Sequence, residues 1–295
     1  CRVVVPCRGA VRTRRSEAPC ATRVSAVSGF AAGAAARHDE LAHCQYQQGS
    51  GHARAVLHER IAVLRDVVLR ERADDAAHTA KHDHRQQDDA SLVVWYGGED
   101  WLIDSGLFNY DKSSRLRRYM RSREAHNVFL ASDRKPCEVR GKVPTSNWEV
   151  VSHSNAIEDA YIEMHNWIYE GVSQRRNVSV TPGHRITVED DISATDGGLF
   201  DGAILWHIPQ DKTIEIIGSH LIRVCSKRTK QTMHIEIGGD VLDGVDILRG
   251  TNEGKVVSYV SLLSNSKTPS QVIVCSASRR QRLQVTFDFT FPKPC

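Results

Sequence analysis

Arg176-Asn177-Val178-Ser179-Val180-Thr181-Pro182-Gly183-His184-Arg185-Ile186-Thr187-Val188-Glu189-Asp190-Asp191-Ile192 is the stretch that decides the fold. Apolar and polar residues alternate on both sides of a Thr-Pro-Gly-His centre. A period of two belongs to a strand with one buried face, and Pro-Gly chemistry makes a turn. The stretch therefore predicts a hairpin with arms Arg176–Val180 and Arg185–Ile192. Upstream, Ser91–Tyr96 and Trp101–Asp104 flank Gly97-Gly98-Glu99-Asp100 and read as a second hairpin. Asn127–Ala131 and Tyr161–Ile168 are further strands. Downstream come Leu199–Ile208, Thr213–Ile217, Leu221–Cys225, Met233–Ile237, Val256–Leu263, Gln271–Ser276 and Leu283–Phe289. Short strands separated by turn residues, with no long helical pattern after residue 81, predict an all-β fold: a large antiparallel β-sandwich over residues 81–295.

Residues 1–80 differ in kind. They hold 12 Arg and no Lys, 17 Ala and no Asn or Trp, and Lys, Asn and Trp enter together from residue 81. The shift marks a boundary near His78–Lys81. The first 50 residues carry few large apolar positions and predict little fixed structure. Leu57, Ile61, Leu64 and Val68 recur at spacings of four, three and four, which predicts one amphipathic helix over about 53–74. Two readings stay open for this segment. It is a native stretch packing on a neighbouring domain, or it is translated from the wrong frame of a GC-rich gene.

The totals exclude several classes. A formal net charge of +3 on 295 residues, with acidic and basic residues mixed, gives no footprint for nucleic acid. No run of about 18 apolar residues exists to span a bilayer. Val3–Val5 is too short for the apolar core of a signal peptide. Eight cysteines make no C-x-x-C pair, so a zinc knuckle is not expected, and Cys225 and Cys275 read as buried free thiols.

One segment is too polar to be explained by packing. His82-Asp83-His84-Arg85-Gln86-Gln87-Asp88-Asp89-Ala90-Ser91 leads into a strand. Asp104-Ser105-Gly106-Leu107-Phe108-Asn109-Tyr110 follows the hairpin. Arg117-Arg118-Tyr119-Met120-Arg121-Ser122 and His126-Asn127 come next. Strand ends and loops on a rigid scaffold are where sites are usually placed.

This segment resembles the C-terminal domain of heparinase II/III-like proteins. The pattern stands here as His84-x-Gln86-x-Asp88-x-x-Ser91, then Asp104-x-Gly106 with Tyr110, then Arg117-x-Tyr119-x-Arg121-Ser122 with His126-Asn127. Weaker likeness continues at Arg175-Arg176, Asp190-Asp191 and Trp206-His207. Register decides between His82 and His84: Asp88 and Ser91 lie four and seven residues beyond His84, as the pattern requires.

The resemblance implies β-elimination on uronic-acid-containing glycans of the heparin, heparan sulfate or alginate kind. It assigns His84 to proton abstraction or to neutralising the sugar carboxylate. Tyr119 is the candidate base or acid, with Tyr110 the alternative. Arg118 or Arg121 binds a uronate or sulfate. It also implies a zinc site at Gln86, Asp104 and His126, where Gln86 stands in place of a better imidazole ligand and the trio reads alternatively as a hydrogen-bonded brace. Family lyases carry an N-terminal α/α toroid that supplies further catalytic residues. Residues 1–80 show none of its pattern, so this chain is expected to be truncated, with half of the site. The resemblance places such enzymes in the bacterial periplasm or outside the cell, with an acidic polysaccharide as partner. The reading from a different class is a non-catalytic sandwich that binds carbohydrate or packs on a catalytic partner.

Overall fold

The computed structural model describes residues 86–137, 148–156, 159–181, 185–250 and 257–292, together with the backbone of strands at 53–58 and 61–65. An eight-stranded antiparallel sheet forms one layer. Its order is β11 (Lys212–Ile217), β12 (Leu221–Ser226), β13 (Thr232–Gly239), β18 (Arg282–Thr290), β9 (Arg185–Ala194), β8 (Val172–Thr181), β7 (Asp159–Tyr169) and β6 (Trp148–Ala156). The opposing layer holds β14 (Gly244–Arg249), β17 (Gln271–Arg280), β10 (Phe200–Ile208) and β5 (Phe129–Ala131), in that order. A third sheet contains β2 (Ile61–Arg65), β1 (Ala53–His58), β3 (Leu92–Tyr96) and β4 (Glu99–Leu102). β15 (Tyr259–Val260) and β16 (Thr268–Pro269) form a small pair. One short helix, α1 (Arg115–Arg121), and a 3-10 turn, Arg123–Ala125, lie between β4 and β5. The all-β sandwich predicted from alternation is the fold observed.

The deciding hairpin forms as read, with β8 and β9 paired from Val172↔Ala194 to Thr181↔Arg185. Along β8, Val172, Gln174, Arg176, Val178 and Val180 are buried and the intervening residues face out. The layers meet where Trp206 of β10 sits edge-on to Phe287 and Phe289 of β18, at 5.1 and 5.0 Å between ring centroids. Edge-to-face aromatic packing of this kind adds to the area it buries. Phe291 closes the core against Tyr96 and Trp101.

The Arg176 and Asp190 charges between the layers are paired. Arg176 is fully buried and donates from Nε and Nη2 to both Asp190 oxygens at 2.8 Å. Its Nη1 donates to the carbonyls of Ala90 and Asn127 at 2.9 and 2.8 Å, and its guanidinium lies 5.5 Å from the Trp206 ring centroid. Gln174 donates to Asp190 at 2.6 Å and accepts from Asn166 at 2.8 Å. At the other end of the core, buried Lys212 donates to Glu99 at 2.7 Å. Burial alone would raise the Glu99 carboxyl, but bonds from Lys212, Ser226 and Thr229 bring it below its ordinary range.

Several expectations change. The helix expected over about 53–74 is replaced, within the described stretch, by the strands β1 and β2. Ala55↔Leu64 and Val56↔Val63 pair antiparallel, and β1 runs parallel to β3 from Ala53↔Leu92. Leu57 and Ile61 satisfy the helical spacing, but the β-branched residues and the free edge of β3 favour sheet. That sheet crosses the expected boundary near residue 80. Residues 1–52 and 66–74 lie outside the described residues. The predicted strand Val256–Leu263 shortens to β15, whereas β6 and β14 are strands that alternation left unnamed. Cys275 is buried, which pushes its thiol up to about 12, while Cys225 is only partly buried. Among the described residues no helix is long and apolar enough to cross a membrane.

Candidate functional site

The second half of β10 is buried on both faces: Trp206 points into the core and His207 the other way, under the 3-10 turn Arg123–Ala125. The polar segment from Gln86 to Asn127 gathers on that outer side. Asp104 follows β4 and opens a tight turn. Its Oδ1 accepts the Gly106 amide at 2.8 Å, the self-bonded turn that Asp favours. Gly106 has φ +70°, and a Cβ there would lie 2.5 Å from the Ser261 carbonyl oxygen, so only glycine fits. The Asp104 Oδ2 faces His126 Nδ1 at 2.7 Å, with His126 wholly buried. Gln86 donates from Nε2 to the Gly106 carbonyl at 3.1 Å. Gln86, Asp104 and His126 are thus brought round one turn.

Asn127 fixes this turn to the scaffold. Its amide nitrogen donates to the carbonyls of Leu92 and Ile103 at 2.6 and 3.1 Å. Its Oδ1 accepts the His207 backbone amide at 2.6 Å and lies 3.2 Å from His207 Nδ1. Arg176 holds the Asn127 carbonyl from below, so the buried core pair reaches His126 through its neighbour. Burial, reinforced by nearby His126 and opposed by Asp104, pushes His207 down to about 3, so its ring is neutral at ordinary pH.

The helix carries the remaining residues. Ser114 caps α1 by accepting from the Arg117 amide at 3.3 Å, and Ser105 Oγ ties the helix to the Asp104 turn by donating to the Met120 carbonyl at 3.1 Å. Tyr119 turns inward to an apolar cluster with Met120, Ala125 and Tyr259. Its hydroxyl accepts the Ser258 amide at 2.9 Å, and burial raises it to about 12. Tyr110 is 62% exposed. Arg118 is exposed and donates to the Ser113 carbonyl at 2.8 Å. Arg121 is partly buried, and its carbonyl accepts the Gln87 amide at 3.0 Å. His84 lies outside the described residues. Sequence reading carried Asn127, Arg176, Asp190 and His207 only as elements of likeness. The signal for two of them was there, since Arg176 and Asp190 occupy inward positions of an alternating pattern.

The zinc trio can be tested on its atoms. Gln86 Oε1 is buried without a hydrogen-bond partner, so one weak donor is in hand. Both Asp104 oxygens are engaged, one with Gly106 and one with His126. Among the described residues no group of three His, Cys, Asp or Glu side chains could hold a metal ion. An amide oxygen, one carboxylate and one imidazole fall short of the four strong ligands zinc ordinarily takes. Among the described residues the set falls short of a zinc site, and its bonds are those of a hydrogen-bonded brace.

Fold and site together define a β-sandwich protein with a buried imidazole paired to a partly buried carboxylate on the outer face of its smaller layer. Residues 73–227 match the family described as heparinase II/III-like, C-terminal, and the chain belongs to that family. Two solved structures are similar to it in fold. The heparinase III product of gene BT4657, with methylated lysines, superposes with a TM-score of 0.59 at 13% identity, over 72% of this chain and 31% of that one. The heparan sulfate lyase HepC of Pedobacter heparinus gives 0.57 at 13% identity, over 72% of this chain and 32% of that one. The chain therefore spans about a third of the length of these structures. No curated protein matches it.

Proposed function

We propose that this chain is the β-sandwich part of a polysaccharide lyase that cleaves uronic-acid-containing glycans by β-elimination. Membership of the heparinase II/III-like family supports the class. The observation that carries the reading is the Asp104–His126 pair, with His126 wholly buried and Asp104 partly so, held at 2.7 Å on a glycine-locked turn in the segment that leads to the exposed Tyr110. A rigid carboxylate–imidazole pair on a turn is a costly arrangement for a protein to keep unless it orients something.

The reaction needs three acts. A proton leaves the carbon beside the sugar carboxylate. The charge that develops on that carboxylate is stabilised. The glycosidic C–O bond breaks, a ring double bond forms, and the leaving oxygen is protonated. Tyr110 suits proton transfer better than Tyr119, which is buried, raised to about 12 and engaged with Ser258. Tyr119 then serves as a pin for the loop that carries β15. His84 keeps its role as the group at the carboxylate, and Asp104 and His126 hold the turn that leads to Tyr110. A periplasmic or exported location follows from the same reading.

Gln86 favours a second reading, a non-catalytic sandwich that binds acidic glycans, because its amide is spent on Gly106. One experiment separates them. Incubation of the chain with heparan sulfate, heparin or alginate is expected to give the absorbance of an unsaturated uronate. Binding of these polymers with no such product removes the lyase reading for this chain and leaves the binding one.

A further inference from the structure

Three arginines in the described structure are buried, and they are not equivalent. Arg176 has Asp190 and two carbonyls. Arg123 lies on the core side, with one long bond of 3.4 Å to the Phe129 carbonyl and the Tyr169 ring 5.8 Å away. Arg117 is 2% exposed, and its buried Nε has no hydrogen-bond partner. Its guanidinium makes no ion pair among the described residues; the group that meets it is the Tyr110 ring, 5.9 Å from the guanidinium carbon. Asp111 is the neighbouring carboxylate: its Oδ1 accepts the Ser113 hydroxyl and amide at 2.7 and 2.9 Å, and these bonds, with Arg117 and Arg118 nearby, hold it below its ordinary range without an ion-pair contact to Arg117. Arginine does not shed its proton in a protein, so the charge stays. A stacked ring offsets only part of the cost of burying it.

We propose that Arg117 is the anion anchor of the candidate site. Its planar fork takes two oxygens of a sugar carboxylate or sulfate, and Tyr110 closes over the bound group. The geometry distinguishes it from Arg123, because the ring that covers Arg117 is itself open to solvent and gives a way in. It distinguishes it from Arg118 as well, which is exposed and bonded to Ser113. Arg117 lies on the helix that Ser105 ties to the Asp104 turn, so an anion held there sits on the same anchored segment as the Asp104–His126 pair. A guanidinium fork matches two oxygens of one anion, which an ammonium cannot do. The inference rests on the acidic-glycan reading for the class of ligand, not for the presence of the anion site.

The test is titration calorimetry of the chain with sodium sulfate and, separately, sodium glucuronate, against sodium chloride at equal ionic strength. Heat of binding is expected for at least one of the two, and which one answers separates a sulfate from a carboxylate subsite. Arg117→Met is expected to abolish it while folding as well as the parent, since it removes a buried charge that makes no ion pair among the described residues. Arg117→Lys, which keeps the charge and loses the fork, is expected to weaken it about tenfold or more. Binding that survives both substitutions, or that vanishes in Arg118→Gln and persists in Arg117→Met, overturns the proposal. So does the absence of any anion binding by the parent. Sulfate binding without lyase product would leave this inference standing and remove the catalytic reading. Product formation undiminished in Arg117→Met would do the reverse.

Discussion

Two clusters of buried polar groups near β10, one around Arg176 and one around Arg117, are satisfied to different degrees. Between the layers, Arg176, Asp190, Gln174 and Asn166 form a closed network in which every polar group of the guanidinium and carboxylate has a partner. On the outer side, Arg117 Nε and Gln86 Oε1 are buried with no partner. An interior tolerates charge only when it is paired, because desolvation is otherwise not offset. The inner network is therefore part of what holds the layers together. The outer gaps sit beside a turn locked by glycine and a carboxylate–imidazole pair, where an incoming group can fill them.

The largest effect that would sharpen this contrast is at Asp190. Asp190→Ala leaves Arg176 buried without its carboxylate and is expected to cost about 3–5 kcal/mol in urea unfolding. Replacing both partners by apolar residues of similar volume should recover most of that loss, and a double variant as unstable as the single one would break the account of the core. Gly106→Ala comes next. Its φ of +70° and the 2.5 Å approach to Ser261 predict a cost of about 1–3 kcal/mol, with a changed environment at His126 by NMR.

Acid gives a graded effect. His207 is lowered from its ordinary 6.5 to about 3 in the fold. Between those values the unfolded chain binds a proton that the folded chain does not. Stability is thus full above about pH 6.5 and falls as pH drops toward 3, by about 1.4 kcal/mol per pH unit within that window. His207→Gln should flatten that slope in thermal unfolding measured from pH 7 to 5. Arg117→Met runs the other way: it removes a buried charge whose desolvation is only partly offset, and is expected to leave the chain at least as stable as the parent in urea unfolding. A loss as large as that of Asp190→Ala would show that the outer side is built like the core.

Alternation made most of the fold legible. The β8–β9 hairpin and the Gly97-Gly98 turn, where both glycines have positive φ, follow directly from turn chemistry and period two. The N-terminal helix was misread because Leu57, Ile61 and Leu64 fit a helical face, and nothing local reveals that β3 offers an edge to pair with. Spacing also brought Gln86, Asp104 and His126 together, since all three sit at strand ends joined by one turn. It could not order Tyr110 against Tyr119 or Arg117 against Arg118. Which side of a seven-residue helix faces the protein depends on long-range partners such as Ser258, 139 residues from Tyr119.

Hydrogen exchange of the chain with and without a heparan sulfate oligosaccharide tests the central claim most directly, that the outer side of the smaller layer is the functional face. The account predicts slowed exchange at Gly106–Arg121 and in the loop after β15. Protection confined to the outer face of the eight-stranded sheet, with residues 104–127 unchanged, would contradict it.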